Sequence, residues 1–564
     1  MKKILKKFAV TALAAVTLTS AFMTSTGAAQ VQTQSAGANK YGLTSSIRDG
    51  AILHAWSWSF NTIKDNLKLI AESGYTSVQT SPINKIIEGE GGGMQLYGKG
   101  KWYYQYQPTM YTIGNYQLGT LEEFKAMCAE ADKYGIKIIV DAVVNHCTSQ
   151  KSAISNEIIN LPGGGLHPLL EIDKWSSRYQ VTQGKLSGLW DLNTQNPAVQ
   201  QMILGYLKDC VAAGADGFRY DAAKHIELPD DPGFGGNFWP TVLDNDAEFQ
   251  YGEILLGADR AADYAKLMKI TAEGYGTNLR AALSKQKLTS ATAKNYRLTG
   301  VEDSKLVTWV ESHDTYCTDD VPANNQFSSW YTTTNDDIKR GWAVICAQGD
   351  TTPLFYARPQ GSGARIEGGT TTQNFNQKWG DNTIGIAGDG NYYSDEVAAV
   401  NKFRNAMVGE GKNLVDVVRQ KVTMIERGTK GAVLVSVSDS DNTINTATNL
   451  ADGEYTDQVS GTAFTVADGK LSGTVKAGAV VVLYTPEEEP EDVLVGDLNK
   501  DGKVDVQDAT ILQRHLAEFK NDDGSAIIDM DDPKQVKIAD YDGDGTVSVL
   551  DVTAMQRAIA EFGS

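Results

Sequence analysis

The chain has 564 residues, 41% of them apolar and 21% charged, too many for one hydrophobic core and enough for two to four domains. Lys and Arg total 51 against 70 Asp and Glu, and the resulting net charge of −19 disfavours nucleic acid and anionic membrane surfaces as partners. Five cysteines, Cys128, Cys147, Cys210, Cys317 and Cys346, have no paired spacing and make no disulfide framework. An odd number leaves at least one thiol free in a monomer, so the fold must rest on its core.

Residues 1–29 read as an export signal. Lys2, Lys3, Lys6 and Lys7 precede a largely apolar stretch from Phe8 to Met23, and Gly27-Ala28-Ala29 offers a cleavage site before Gln30. The stretch is short for a membrane anchor and contains Thr and Ser, and no later segment reads as a membrane span. A secreted, extracellular protein is expected.

From about Ile52 to Val400, short apolar runs alternate with amphipathic stretches. Ala51–Trp56 reads as a strand, Thr62–Ser73 as a helix and Tyr75–Thr80 as a strand. Leu121–Tyr134 reads as a helix before the strand Ile136–Val144, and Val199–Ala213 as a helix before the strand Gly217–Tyr220. This βαβα order predicts parallel strands with crossover helices, and the length favours an α/β fold of the (β/α)8 barrel type. A doubly wound sheet is the alternative, but no glycine-rich phosphate turn follows the first strand. Between the strand ending near His146 and the helix at Val199 lie some fifty residues rich in Gly, Ser, Asn and Trp. That is too long for a plain loop and predicts a subdomain inserted after the third strand.

Four of the apolar runs end in polar residues where barrel chemistry sits. They are Ile138-Ile139-Val140-Asp141-Ala142-Val143-Val144-Asn145-His146, Gly217-Phe218-Arg219-Tyr220-Asp221-Ala222-Ala223-Lys224-His225, Glu248–Glu253, and Leu306–Asp314. A lone carboxylate at such a place is more often a cap or an ion pair; several at matching places predict one shared cavity. These segments, in this order, resemble those of glycoside hydrolase family 13, the α-amylase family, from about His54 to Tyr484. The resemblance implies Asp221 as nucleophile, Glu253 as general acid/base and Asp314 as stabiliser of the transition state. A departing glycosidic oxygen needs a proton, so Glu253 is expected to stay protonated near neutrality, while Arg219 on the same strand face keeps Asp221 ionised.

The resemblance also implies substrate contacts, Arg219 among them. His146 and His313 would bond the sugar at the cleavage point. Trp102, Tyr103, Tyr106 and Gln107 would form an aromatic platform, and Lys224 and His225 would serve the leaving-group side. Asn145, Asp191 and the His225 carbonyl match the family's ligands for one structural calcium ion. Ser312 stands where chloride-activated relatives carry Asn, so no chloride is expected. Cys147 and Cys317 lie close in sequence to His146 and Asp314, either near the cleft or buried as structural thiols. A transglycosylase or small-dextrin hydrolase on the same machinery, and a starch-binding scaffold component without chemistry, are the competing functions.

From roughly Asn413 to Tyr484, short β runs such as Gly431–Val437 and Ala479–Leu483, separated by turn residues, predict an antiparallel β domain. An acidic linker with Pro486 and Pro490 follows. Beyond it, Asp497, Asn499, Asp501, Lys503, Asp505 and Asp508 recur 43 residues later as Asp540, Asp542, Asp544, Thr546, Ser548 and Asp551, with Gly502 and Gly545 at the sixth position. This oxygen spacing wraps a hard cation. Each loop enters a similar helix, Ile511–Phe519 and Ala554–Phe562, and no helix is read before either loop. Position 12 is Asp, and with these features the tail resembles a type I dockerin, a small α-helical calcium-binding module. That likeness implies two calcium ions, a cohesin partner on a scaffold protein, and recognition residues near Val506-Gln507 and Val549-Leu550. The expected division is 1–29 signal, 45–400 barrel with its insertion at about 147–192, 401–485 β domain, 486–492 linker and 493–564 dockerin. The expected substrates are starch and α-glucan oligosaccharides.

Overall fold

The structure, a computed structural model, describes residues 40–168, 170–255, 260–296, 298–318, 321–486, 494–521, 524–530 and 532–562. The signal reading and most of the linker lie outside the described residues. Eight parallel strands close into a barrel: β1 (Ile52–Ala55), β2 (Ser77–Thr80), β3 (Lys137–Ala142), β4 (Gly217–Tyr220), β5 (Phe249–Gly252), β6 (Lys269–Thr271), β7 (Leu306–Thr308) and β8 (Thr352–Tyr356). Each pairs with its neighbours in sequence and β8 returns to β1.

Helices cover the barrel for reasons legible in their residues. Helix α1 (Phe60–Glu72) starts on Ser59, whose side chain accepts from the Thr62 amide, and buries Phe60, Ile63, Leu67 and Ile70 at helical spacing. Helix α2 (Leu121–Tyr134) opens on a Thr120/Glu123 capping box and stops at Gly135, whose φ of 69° suits a residue without a β-carbon.

Side chains alternate across each strand, and the inward set includes Ile139, Phe249 and Tyr251, packed with Ile52, Val307 and Leu354 inside the barrel. The same period carries Asp141, Arg219, Asp221 and Glu253 inward at the carboxyl ends, while Phe218 and Tyr220 pack in the outer core. Asp141 lies opposite Arg219, and Tyr220 opposite Gly252, so Asp221 and Glu253 are the next residues on adjacent strands.

Among its described residues, the segment between β3 and helix α3 (Pro197–Ala212) contains short helices, such as Asn156–Ile159 and Arg178–Gln183, and isolated bridges that include His146 with Asp191. After the barrel come β9 (Lys412–Val418), β10 (Val422–Arg427), β11 (Gly431–Ser436), β12 (Asn442–Ala447), β13 (Gly453–Thr456), β14 (Ala463–Ala467), β15 (Lys470–Val475) and β16 (Val480–Tyr484). They form two antiparallel four-stranded sheets, β9-β10-β11-β16 and β12-β15-β14-β13, over a core that includes Met424, Leu434, Phe464 and Leu483.

In the tail, helices α4 (Val506–Leu516) and α5 (Val549–Phe562) pack through Ala509, Leu512, Val552 and Met555. One expectation needs correction here. A helix, Pro533–Ala539, does precede the second loop, starting on Asp532 as N-cap with Pro533 in its first turn. Seven residues are too few to show a period, although the Asp-Pro start was a usable signal. No helix among the described residues is long and apolar enough to cross a membrane.

Candidate active site

Arg219 organises the site. Its guanidinium is buried and meets three carboxylates: Asp141 Oδ1 at 2.7 Å and Asp221 Oδ1 at 2.9 Å from Nη1, and Glu253 Oε1 at 2.9 Å from Nη2. Asp141 also accepts from the Tyr106 hydroxyl at 2.9 Å. Sequence reasoning gave Asp141 no role; a carboxylate inside the run Ile138–Val144 was a signal, since a buried charge needs a partner.

Glu253 has a second donor. The Ala222 amide reaches Glu253 Oε2 at 2.8 Å because Ala222 adopts a left-handed conformation, φ 49° and ψ 31°, that turns the backbone just after Asp221. For a residue with a β-carbon this costs roughly 1–2 kcal/mol.

Asp314 follows β7 in the first turn of a short helix, His313–Cys317, and hydrogen-bonds Glu253. Ser312 is that helix's cap, accepting from the Thr315 amide.

The charge distribution departs from the expectation that Glu253 keeps the proton. Burial pushes the Asp221 carboxyl up to about 8, reinforced by the Glu253 charge and opposed by Arg219. Burial and the Glu253 charge also hold Asp314 well above the carboxylate range. Arg219 and the Ala222 amide outweigh burial at Glu253 and hold it below its ordinary value. The site therefore stores a proton on the Asp221 and Asp314 side. Of the carboxylates, only Asp221 was expected beside Arg219, because they share a strand face; the guanidinium bridges to the strands on either side as well.

Histidines add no charge here. Burial lowers His146 and His225 to about 4 and His313 to about 3. His146 Nε2 bonds the Tyr106 carbonyl at 3.1 Å, and His313 lies parallel to the Tyr106 ring at 5.3 Å.

These groups open onto a cleft of about 490 Å³. Its lining includes a ring cluster of Trp102, Tyr103, Tyr106 and His313, together with Trp175, Leu186, Leu189, Lys224, His225 and Leu255. Lys224 Nζ donates to the Leu255 carbonyl at 3.1 Å, and Gln107 Oε1 accepts from Thr148 at 2.9 Å. Every expected substrate contact lies on this lining except Arg219, which sits beneath it. Trp175 and Leu255 were not foreseen. All five cysteines are buried, and burial pushes the Cys147 thiol up to about 12, so that thiol is an inert core group.

The backbones of Asn145 and Asp191 run side by side, the Leu192 amide donating to the Asn145 carbonyl at 3.0 Å and His146 bridging to Asp191. Asn145 Oδ1 is buried without a hydrogen-bond partner, and Asp191 is buried with His167 Nδ1 at 2.6 Å from Oδ2. An orphaned amide oxygen beside a buried carboxylate fits a hard cation. His167, which orients Asp191, was not foreseen. His225 lies on the turn Ala223–His225 directly after Asp221 and Ala222.

The tail loops fit calcium by a similar test. Ligand oxygens of Asp540, Asp542 and Asp544 lie within 4.8 Å of one another, and Asp540 Oδ1 is buried without a partner. In the first loop Asp497 accepts from the Asp501 and Gly502 amides, and Asn499 Oδ1 from the Asp501 amide. Asp508 and Asp551, at position 12, are buried and accept backbone amides across their loops. Gly502 and Gly545 take φ of 85° and 86°, the left-handed turn that position six requires. Lys503, Asp505, Thr546 and Ser548 occupy the remaining loop positions, and Val506, Val549 and Leu550 are exposed at the helix starts.

Comparison with known proteins adds relatives. Residues 30–160 match the family described as alpha amylase, catalytic domain, and residues 495–560 the type I dockerin domain. An alpha-amylase of Butyrivibrio fibrisolvens is 42% identical over 481 residues, covering 78% of this chain and 47% of that protein. One of Clostridium acetobutylicum is 36% identical over 463 residues, covering 79% and 55%. The chain thus spans about half the length of these curated relatives. Among solved structures, alpha-amylase I of Eisenia fetida superposes with a TM-score of 0.63 at 20% identity over 79% of this chain and 97% of that one. An alpha-amylase of Geobacillus thermoleovorans, complexed with acarbose, gives 0.60 at 16% over 78% and 99%. At such identities these superpositions speak for the fold.

Proposed function

The chain carries an α-amylase-family catalytic domain and a type I dockerin domain, and from that premise we propose a secreted, endo-acting α-amylase attached to a cohesin-bearing scaffold. It hydrolyses α-1,4-glucosidic bonds of starch and related glucans with retention of anomeric configuration. The observation that carries this reading is the meeting of Asp221, Glu253 and Asp314 in one cleft, with Asp221 and Glu253 on the two terminal nitrogens of one guanidinium. Such an arrangement favours the spacing of about 5–5.5 Å used by retaining enzymes over the wider gap that admits a water.

In the proposed reaction Asp221 releases its proton to solvent as the glucan enters and attacks the anomeric carbon as a carboxylate, and Glu253 protonates the departing oxygen. Glucose hydroxyls bonding to Asp314 favour its ionised form, and its proton passes along the existing hydrogen bond to Glu253. A covalent glycosyl-enzyme forms; Glu253, now a carboxylate, then takes a proton from the water that releases the sugar. Neutral His146 and His313 hold sugar hydroxyls without adding a cation that would keep Glu253 ionised.

Calcium bound through Asn145, Asp191 and the His225 carbonyl would offset buried negative charge and tie the 147–192 insertion to the barrel. Two further ions would set the tail loops.

Glu253→Gln should lower turnover of soluble starch by about 10²–10⁴-fold. Asp221→Asn should abolish turnover while starch is still bound. Released sugars examined by NMR at early times should show the α anomer; an initial β anomer, or undiminished turnover in Asp221→Asn, contradicts the assignment.

A further inference from the structure

Strand β7 pairs with β8 as far as Thr308, opposite Pro353, and Asp314 lies further along the chain. Strand pairing therefore does not fix the segment Trp309–Ser312 that leads to Asp314. Buried carbonyls and charges in such a segment need other partners. Two anchors supply them.

The first is the helix Glu273–Ser284. Gly276 packs so closely that a β-carbon there would stand 2.6 Å from the Trp309 carbonyl oxygen and 2.9 Å from that of Val310. One turn on, Arg280 donates to the Val310 carbonyl. The second anchor is an ion pair. Glu311 and Arg358 are 2% and 3% exposed. Arg358, just past β8, donates from Nε to Glu311 Oε1 at 2.6 Å and from Nη2 to Oε2 at 2.8 Å, the two-point geometry of a guanidinium on a carboxylate. Ser329 Oγ donates to Glu311 Oε2 at 2.6 Å, and Arg358 Nη1 to Asn335 Oδ1 at 2.8 Å. Past Asp314, the Tyr316 hydroxyl donates to the Lys378 carbonyl at 2.6 Å, and the Arg358 guanidinium lies over the Tyr316 ring at 5.5 Å.

Neither Glu311 nor Arg358 lines the catalytic cleft. A buried ion pair is also weak evidence for stability, because desolvation offsets most of its attraction. What this pair supplies is direction. The fork fixes Glu311 against β8, and Asp314 stands three residues on. We propose that Arg358 is a positioning residue: by gripping Glu311 from β8, it sets where Asp314 meets the glucan and Glu253. This rests on the glucan-hydrolase reading above. Asp314 stabilises the transition state in that reading, so displacing it costs rate more than ground-state binding. A shift of about 1 Å can cost about 100-fold.

The test compares Arg358→Lys with the unaltered full-length protein and with Ile63→Val, which trims a buried side chain of helix α1 in the outer core. All are assayed on maltoheptaose with calcium present, well below their melting temperatures. For Arg358→Lys, kcat should fall about 10- to 100-fold while KM stays within about twofold. Inhibition by acarbose, whose unsaturated ring is flattened like that of the reacting sugar, should weaken in step. Ile63→Val should keep its kcat. If Arg358→Lys does not fold, Arg358→Met combined with Glu311→Gln removes both buried charges together and carries the same expectations. A kcat equal to that of Ile63→Val would mean that Gly276 and Arg280 hold the segment without the pair, and would overturn the proposal, as would a loss carried mainly by KM. If the unaltered protein leaves maltoheptaose uncut, the glucan-hydrolase reading itself fails and this inference with it, an outcome separate from the other two.

Discussion

Asp221 and Glu253 compete for one guanidinium, and Asp221 pays in stability for its position. Its folded pKa of about 8 lies above the unfolded value near 4, so between those values the native state holds a proton that the unfolded chain has released. Stability therefore falls as pH rises across that window and is fully reduced above about 8. Asp221→Asn removes the titration while Arg219 keeps Asp141 and Glu253. Its melting temperature should exceed that of the unaltered protein by a few degrees at pH 8 and match it near pH 4. A constant offset across that range, read by scanning fluorimetry, would refute the placement of the proton. Ala222 carries strain of another kind. Ala222→Gly frees the left-handed turn and should stabilise the fold by about 1 kcal/mol in denaturant titration. Of this residue-scale picture, the sequence revealed which carboxylates gather, because inward positions recur every second residue at strand ends. It did not reveal where the proton rests, since that depends on a nitrogen reaching across to the next strand and on one backbone amide.

Strands β1 to β4 and helices α1 to α3 were legible to within two residues because their apolar periods run long enough to count, whereas β6 and β8 were not read. The 147–192 insertion was legible only as an interruption, since its helices are too short to show a period, and Trp175 and His167 were hidden in it. Its attachment depends on Arg178, which reaches Asp231, the carbonyls of Lys224 and Ile226, and the Tyr264 hydroxyl. Asp231 is buried and also pairs with Arg260, so it would not be left bare on loss of Arg178. Arg178→Ala should cost about 2–3 kcal/mol, read as a lower urea midpoint of the catalytic domain. It should also weaken binding at Lys224 and His225, whose loop it braces. An unchanged midpoint would mean that the insertion is held by its other contacts.

At the scale of the whole chain, catalytic and tail functions draw on separate cores, the barrel's and the small one around Leu512 and Met555. Chelation with EGTA should therefore melt the tail at a lower temperature and abolish cohesin capture, and both should return with added calcium. Asp540→Ala, which removes an unpartnered buried oxygen from the second loop, should reproduce that loss while soluble starch is still hydrolysed. Loss of starch hydrolysis in the Asp540 variant would show that the two regions do not work independently.

The pairing of Tyr220 with Gly252 has a broader consequence. Neighbouring strands run about 4.8 Å apart, so Asp221 and Glu253, the proposed nucleophile and acid, leave backbones whose separation is set by the ladder and not by loop packing. The proposed retention of configuration would then be an inheritance of barrel pitch. Under that proposal the rim can lengthen, shorten or change its side chains to suit branched, granular or dissolved polymers while the two carboxylates keep their spacing.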